Sequence, residues 1–210
     1  MSKTALFVYG GWDGHTPKES SELFAKCLRE RGFETELADT LDVFGDAERL
    51  KRLSLIVPAW TMGKLTGEQE HALCDAVASG VGLAGWHGTM CDAFRENTEY
   101  QFMTGGQFVA HPGNISPAYD INITNREHAI TRGLDDFTLH ESEQYYMHVD
   151  PAIDVLATTT FPDGTVMPAV WTRAWGRGCV AYASFGHTHQ DFENETAREI
   201  VVRCMTWATR

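Results

Sequence analysis

The chain has 210 residues, of which 43% are hydrophobic and 22% are charged, and it carries a formal net charge of −12 at pH 7. This length and composition predict one globular domain over residues 1–210 with a substantial hydrophobic core. The excess of acidic side chains argues against nucleic acids and anionic membranes as partners, because both are themselves negatively charged.

The cysteines and the N-terminus carry information about the cellular compartment. Five cysteines are widely spaced along the chain and none forms a C-x-x-C pair. Neither a disulfide framework nor a structural zinc site is therefore expected. The apolar run within the first ten residues is too short for a signal peptide or a membrane span. These features predict a soluble protein of the reducing cytoplasm.

Strand-like and helix-like patterns alternate through the N-terminal part of the chain. Apolar runs with the composition of strands buried on both faces occur at 4–9, 33–38, 53–58 and 80–86. Pro58 lacks a backbone donor and predicts the end of the third run. Strands that alternate with helices predict a right-handed, doubly wound parallel sheet.

Two of the intervening helices have marked starts. Thr16 and Glu19 have the spacing of a capping box, with Pro17 at the first helical position. Thr66 and Gln69 form a second such pair, which predicts the helix that precedes the fourth strand.

The later part of the chain has a different pattern. Its glycines and proline predict a loop over residues 105–113. The β-rich runs that follow are 119–124, 137–147, 154–161, 166–174 and 179–185. The turn Pro162-Asp163-Gly164 predicts a hairpin between the third and fourth of these runs, and an amphipathic helix over 197–208 closes the chain. Antiparallel strands are therefore expected beside the parallel sheet.

The fourth strand stops at a histidine between two glycines, in the segment Gly85-Trp86-His87-Gly88. The polar segment 89–97 that follows has the pattern of a further helix. A strand, a tight turn and a helix form a nucleophile elbow, in which the central side chain projects from the sheet. The alternative is a glycine-rich loop in which the histidine has no functional role.

Four of the nine histidines share one kind of position. His15, His87, His111 and His187 each lie beside glycine or proline at the end of a predicted element. Ligands of parallel sheets bind at the C-terminal ends of the strands, and imidazole serves both proton transfer and metal ligation. Any one of these residues could be structural, but their shared position predicts a common cleft.

Five blocks of sequence together carry a family resemblance. They are Gly10-Gly11 with His15, Gly85-Trp86-His87-Gly88, Gly105-Gly106 with Phe108 and His111-Pro112, Glu143-Gln144-Tyr145, and Val170 to Gly178 followed by Gly186-His187. This set resembles the ThuA-like (trehalose utilisation) family, a branch of the class I glutamine amidotransferase-like fold. The resemblance covers nearly the whole chain. It implies a flavodoxin-like three-layer α/β sandwich with a mostly parallel sheet, here with added antiparallel strands, and a role in utilisation of trehalose or a related keto-sugar.

The sequence departs from the amidotransferase pattern where the chemistry lies. That fold carries a cysteine at the elbow and a His-x-Glu at a late strand end, whereas this chain has His87 at the elbow and His187-Thr188-His189 later. Cys91 is expected to be packed rather than nucleophilic. Because an acyl-enzyme needs a thiolate, glutaminase activity is not expected.

Two hypotheses about function remain open. In the first, the chain is an enzyme in which His87 is general base or acid, Glu143 and His187 are its partners and Tyr145 is a donor. A variant places a divalent metal such as zinc among His87, His111, Glu143 and His187. Substrate contacts are expected from Gly11, Trp12, His15, Trp60, Trp86 and His111. In the second, the domain binds a carbohydrate or a partner without catalysis.

The expected ligand under both hypotheses is a small carbohydrate, and a homo-oligomer is compatible with either. The rings of Trp12, Trp60, Trp86 and Trp171 offer flat apolar faces for stacking on a pyranose ring. Core packing is the expected role of Trp171 and Trp207.

Overall fold

A computed structural model describes residues 3–209 of the chain. Its strands are β1 (Lys3–Gly11), β2 (Phe33–Ala38), β3 (Leu55–Thr61), β4 (Gly82–Trp86), β5 (Gly106–Ala110), β6 (Ile115–Ile123), β7 (Phe137–Glu143), β8 (Tyr146–Val149), β9 (Asp154–Thr160), β10 (Val166–Trp175) and β11 (Gly178–Ala183). Its α-helices are α1 (Pro17–Glu30), α2 (Ala47–Leu50), α3 (Gly67–Ala78), α4 (His87–Cys91), α5 (Thr98–Thr104) and α6 (Glu195–Ala208). Short 3-10 turns lie at Asp13–His15, Leu41–Gly45 and His189–Glu193.

Nine strands form one sheet in the order β2-β1-β3-β4-β11-β10-β9-β6-β7, and β5 pairs with β8 in a separate small sheet. The first five strands in this order are parallel. The remaining four join the sheet through antiparallel pairs. The mixed α/β class, with a flavodoxin-like parallel part and added antiparallel strands, is confirmed.

Helices cover both faces of the sheet, which makes three layers. Consecutive residues of β3 show the division: Leu55 and Val57 belong to the core beneath α1 and α6, whereas Ile56 belongs to the core beneath α3 and α5. Both cores consist mainly of buried aliphatic and aromatic side chains, including the fully buried Trp171 in the second core. Within residues 3–209, no helix has both the length and the apolar character needed to cross a membrane.

Strand β3 continues past the point that the sequence predicts. It runs through Pro58 to Thr61, paired with β1 along its length. Its ladder with β4 joins only Leu55 and Ile56, so Pro58 lies beyond the paired part on that side. The missing donor therefore does not interrupt the β3–β4 ladder, and the prediction that Pro58 ends the strand is wrong.

The two predicted capping boxes have different outcomes. Thr66 and Gln69 form theirs, with both reciprocal hydrogen bonds present. Thr16 precedes α1, but its backbone φ is +44° and its side chain makes no capping bond, so the predicted pairing with Glu19 is wrong. Instead, the Thr16 Oγ1 accepts a hydrogen bond of 2.9 Å from the backbone N–H of His189. This contact fixes the start of α1 against the loop that follows β11.

Two further predictions fail in the middle of the chain. Residues 106–110 of the predicted loop form β5, which is antiparallel to β8. A Cβ atom on Gly106 would lie 2.6 Å from the ring of Trp171, so this glycine permits close packing rather than a loop. The helix predicted over 89–97 is also misplaced, since α4 ends at Cys91 and α5 begins at Thr98.

Candidate functional site: a histidine–carboxylate centre

His87 stands at a sharp turn between β4 and α4, as the elbow pattern predicts. Its backbone φ is +43°, a left-handed conformation that is uncommon for residues other than glycine. The hydroxyl of Tyr182 donates a 2.8 Å hydrogen bond to the His87 carbonyl and helps to hold the turn. Strained backbone of this kind is concentrated at functional sites.

Four side chains from separate segments meet beside this turn. They are His15, His87, Glu143 and His187, and their potential ligand atoms all lie within 4.8 Å of one another. From the Oε2 atom of Glu143, the Nε2 of His87 is 3.1 Å away, the Nδ1 of His187 is 3.3 Å away and the Nε2 of His15 is 3.7 Å away. We call this set the His/Glu centre.

The far nitrogens of two of these imidazoles are held by neighbouring strands. The Nδ1–H of His87 donates to the Ser184 carbonyl oxygen at 3.1 Å. The Nδ1 of His15 lies 2.7 Å from the Oγ1 of Thr61, at the end of β3. Both rings are buried, and these bonds orient the remaining nitrogen of each ring towards Glu143.

Asp191 links the segment that carries Glu143 to the segment that carries His187. The Oδ2 atom of Asp191 accepts a 2.6 Å hydrogen bond from the Ser142 hydroxyl and a 2.7 Å bond from the backbone N–H of His187. The hydroxyl of Tyr119 donates to the Glu143 carbonyl at 2.9 Å. The end of β7 is thereby fixed against the loop after β11, which brings carboxylate and imidazole together.

Burial and hydrogen bonding change the acidity of the centre. Burial lowers the pKa of His87 to about 3, although the neighbouring Glu143 carboxylate opposes this shift. Burial alone would raise the pKa of Glu143, but the neighbouring imidazoles of His15, His187 and His87 hold it well below its ordinary value. The centre therefore consists of a neutral His87 ring beside an ionised carboxylate.

A cavity of about 270 Å³ opens onto the centre. Its lining residues are Trp12, His15, Thr61, Met62, Asp92, Arg95, Phe108, His111, Glu143 and Tyr145. His15 and Glu143 present the centre to this cavity, whereas His87 is fully buried behind them with the Tyr145 ring stacked on it at 3.8 Å between centroids. Exposed Trp12 and Met62 give the cavity an apolar rim.

The residues predicted to contact substrate fall into three places. Trp12, His15 and His111 border the cavity described above. Gly11 and Trp60 line a neighbouring cavity of about 460 Å³ that lacks all four members of the centre. Trp86 is fully buried in the α1/α6 core against Phe24 and Phe192, so its ring does not reach either cavity.

The set predicted for a metal also changes. The Nε2 of His111 comes no closer than 3.8 Å to Glu143, at the other carboxylate oxygen, and His111 is outside the group of four. His15, predicted as a substrate contact, takes its place. Cys91 is completely buried, and burial raises the pKa of its thiol well above the ordinary value, as expected for a packed cysteine.

Asp92 and Arg95 also border the cavity, although neither is among the predicted site residues. The Asp92 side chain is buried, and its Oδ1 accepts a 2.5 Å hydrogen bond from the Nε of Arg95. The signal was an acid and a base three residues apart directly after the elbow helix. This pair places a fixed acceptor and a partly exposed guanidinium beside the centre.

The fold and the site together define a flavodoxin-like α/β domain that carries a buried histidine–carboxylate centre at the C-terminal edge of its parallel strands. The sequence matches the ThuA family, described as trehalose utilisation, over residues 4–208. The chain belongs to this family.

Solved structures share the fold. A ThuA-like protein from Bacteroides uniformis is 21% identical, with a TM-score of 0.79 and coverage of 98% of this chain and 91% of that one. A second, from Parabacteroides merdae, is 17% identical, with a TM-score of 0.78 and coverage of 100% and 90%. A β-galactosidase from Bacillus circulans is 12% identical, with a TM-score of 0.63, and the match covers 99% of this chain and 30% of that one. No curated protein matches the sequence.

Proposed function

We propose that the protein is an enzyme of sugar utilisation that acts on trehalose or a related keto-sugar at the His/Glu centre. The observation that carries the proposal is the meeting of three imidazoles and one carboxylate at a small cavity with aromatic walls. Membership of the trehalose utilisation family supports the substrate class. Aromatic faces beside polar groups suit a pyranose ring, which has apolar faces and hydroxyl edges.

The reaction class follows from the groups available. Proton abstraction next to a keto group, or addition of water to a polarised carbonyl, requires polarisation of an oxygen and a proton-transfer group near neutral pKa. In the proposal, His15 donates a hydrogen bond to the reacting oxygen, the Glu143 carboxylate accepts one from a neighbouring substrate hydroxyl, and His87 and His187 position Glu143. His111, which borders the cavity with a side chain 32% exposed, transfers the proton, and Tyr145 donates a hydrogen bond.

Glutamine hydrolysis is not part of the proposed function. The elbow position holds an imidazole, and Cys91 is buried behind it with a thiol that burial keeps protonated. An acyl-enzyme therefore has no thiolate from which to form. Ammonia release from glutamine that disappears in Cys91→Ser would contradict this part of the proposal. The five free thiols suit a reducing compartment, and we propose the cytoplasm.

The test begins with binding and proceeds to turnover. Trehalose, glucose and their keto derivatives are screened by the shift in Tm, and each hit is incubated with the protein and followed by NMR. We expect a keto-sugar to be bound and converted, with kcat lowered at least about a hundredfold in Glu143→Gln. His71→Ala, which removes an exposed imidazole on α3, is the matched control. Binding without any conversion would instead identify a non-catalytic carbohydrate-binding domain.

A further inference from the structure

Three imidazole nitrogens converge on a single oxygen in the His/Glu centre. The nitrogens of His87, His187 and His15 lie 3.1, 3.3 and 3.7 Å from the Oε2 of Glu143. One carboxylate oxygen offers about two lone-pair positions, so it does not accept three well-formed hydrogen bonds. Hydrogen bonding alone therefore does not account for the arrangement.

The hydrogen bond of His87 determines which of its nitrogens carries the proton. The Ser184 carbonyl only accepts, so the Nδ1 of His87 carries hydrogen. The Nε2 of the neutral ring then directs a lone pair at the Oε2 of Glu143 from 3.1 Å. Two lone pairs at this distance repel unless positive charge lies between them.

His187 adds a second unsatisfied nitrogen. Its Nδ1 is buried and has no hydrogen-bond partner among residues 3–209, although Glu143 lies 3.3 Å away. A buried polar atom without a partner destabilises the folded state, and such atoms call for a bound group that satisfies them. A cation at the centre would satisfy this nitrogen and the Nε2 of His87 at once.

We propose that His15, His87, His187 and Glu143 bind one divalent transition-metal ion of the zinc type. Ligands bonded to tetrahedral zinc at about 2.0–2.1 Å are separated from one another by about 3.3 Å, near the three distances to Glu143. Three nitrogen ligands and one oxygen ligand disfavour Mg²⁺ and Ca²⁺, which prefer oxygen.

The surroundings of the four residues match those of metal ligands. Histidines that bind metals commonly bond through the second ring nitrogen to a carbonyl or another polar group, which fixes the ring. Ser184 does this for His87, and Thr61 lies in the same position for His15. The cavity reaches the His15 and Glu143 side of the four residues, from which an oxygen of a substrate could approach the ion as a fifth ligand.

The inference deepens the proposed function by naming what the centre binds, and it is tested without any sugar. Tag-free protein is stripped with a chelator and titrated with Zn²⁺ and with Co²⁺ by calorimetry. Visible absorption of the Co²⁺ form reports on nitrogen ligands. His187→Ala removes the least buried of the three imidazoles, and His71→Ala is the matched control.

We expect one equivalent of metal in the wild-type protein and an affinity at least about a hundredfold lower in His187→Ala. The affinity of His71→Ala should equal that of the wild type, and circular dichroism checks the fold of both. If His187→Ala does not fold, the Co²⁺ spectrum of the wild type decides between nitrogen ligation and an aqueous ion. An aqueous spectrum, no binding, or equal affinity in a folded His187→Ala would overturn the inference.

Failure of this inference can be told apart from failure of the proposed function. Metal binding with no turnover of any sugar leaves the centre in place and removes the proposed enzyme. Turnover by a protein that binds no metal would leave the proposed enzyme in place and remove the metal centre.

Discussion

Gly88 and His15 are in contact across the elbow: a Cβ atom on Gly88 would lie 2.3 Å from the Cε1 of His15. The same atom would lie 2.7 Å from the hydroxyl of Tyr145. Non-bonded heavy atoms do not approach a Cβ atom this closely in packed protein interiors. The His15 ring can therefore join the His/Glu centre only because residue 88 has no side chain.

Gly88→Ala should displace His15 from the centre. We expect at least about a tenfold loss of metal affinity and a free energy of unfolding lower by about 1–3 kcal/mol, as for other overpacked interiors. Gly67→Ala is the control, because a methyl group there meets nothing within 4 Å. Calorimetry and urea unfolding measure both quantities, and equal values for the two variants would contradict the contact.

His111 should affect the rate of the reaction rather than assembly of the centre. It borders the cavity outside the group of four, with its Nε2 3.8 Å from Glu143. We expect His111→Gln to lower kcat at least about a hundredfold, with the fold unchanged, because a proton-transfer group is lost. His140→Gln is the control on an exposed strand position. A kcat within about twofold of the wild type would exclude the assigned role.

Trp12 should contribute to substrate binding. Its side chain is 46% exposed at the cavity rim, and its ring packs edge-on against His15 at 4.7 Å between centroids. We expect Trp12→Ala to raise KM about tenfold through loss of a stacking face, and Trp12→Phe to restore most of it. Phe102→Ala removes a 63% exposed ring outside this cavity and should leave KM unchanged. No difference between Trp12→Ala and Phe102→Ala would refute the assignment.

Glu143 should make stability depend on pH in the acid range. Its folded-state pKa lies well below the ordinary 4.5, so unfolding takes up a proton as pH falls through that value. Its ionised form stabilises the protein above pH 4.5, and this stability is progressively lost below it. Relative to Glu143→Gln, the wild type should lose about 1.4 kcal/mol of unfolding free energy per pH unit. Chemical unfolding of metal-free protein at several acid pH values measures this slope. The same dependence of unfolding free energy on pH in the wild type and in Glu143→Gln would contradict the prediction.

The cysteines should divide into two groups by reactivity. Cys74, Cys91 and Cys204 are buried, and burial raises the pKa of each thiol. Cys27 and Cys179 are only partly buried. A thiol-specific reagent should therefore modify two cysteines first in the native protein and all five after denaturation. The first phase should vanish in the double variant Cys27→Ser/Cys179→Ser; a first phase that survives would assign it to a buried thiol.

Short-range patterns predicted the elements that position the site. The glycines around His87 predicted the turn at the end of β4, and Thr66 with Gln69 predicted the start of α3. Both signals depend on residues within a few positions of each other. The burial of Trp86 also follows from a short-range pattern. Ala84 and Trp86 lie on the same face of β4 because side chains alternate along a strand, and this face packs into the core.

Long-range contacts decided the rest. The exchange of His111 for His15 in the centre depends on the packing of Gly88 and on Thr61, which are distant in sequence from both histidines. Pro58 similarly fits within β3 because the neighbouring ladder is short. Neither the presence of His15 in the centre nor the place of Pro58 within β3 has a local sequence signature, because each depends on contacts with a segment that is distant in sequence.

The centre draws its residues from both parts of the sheet. His15 follows β1 in the parallel part, whereas Glu143 ends β7, the outermost strand of the antiparallel part. Visible absorption of Co²⁺ bound at the centre would therefore report whether the two parts of the sheet unfold together. During unfolding it should disappear as soon as either part loses its structure, and during refolding it should return only after both parts have formed and packed together.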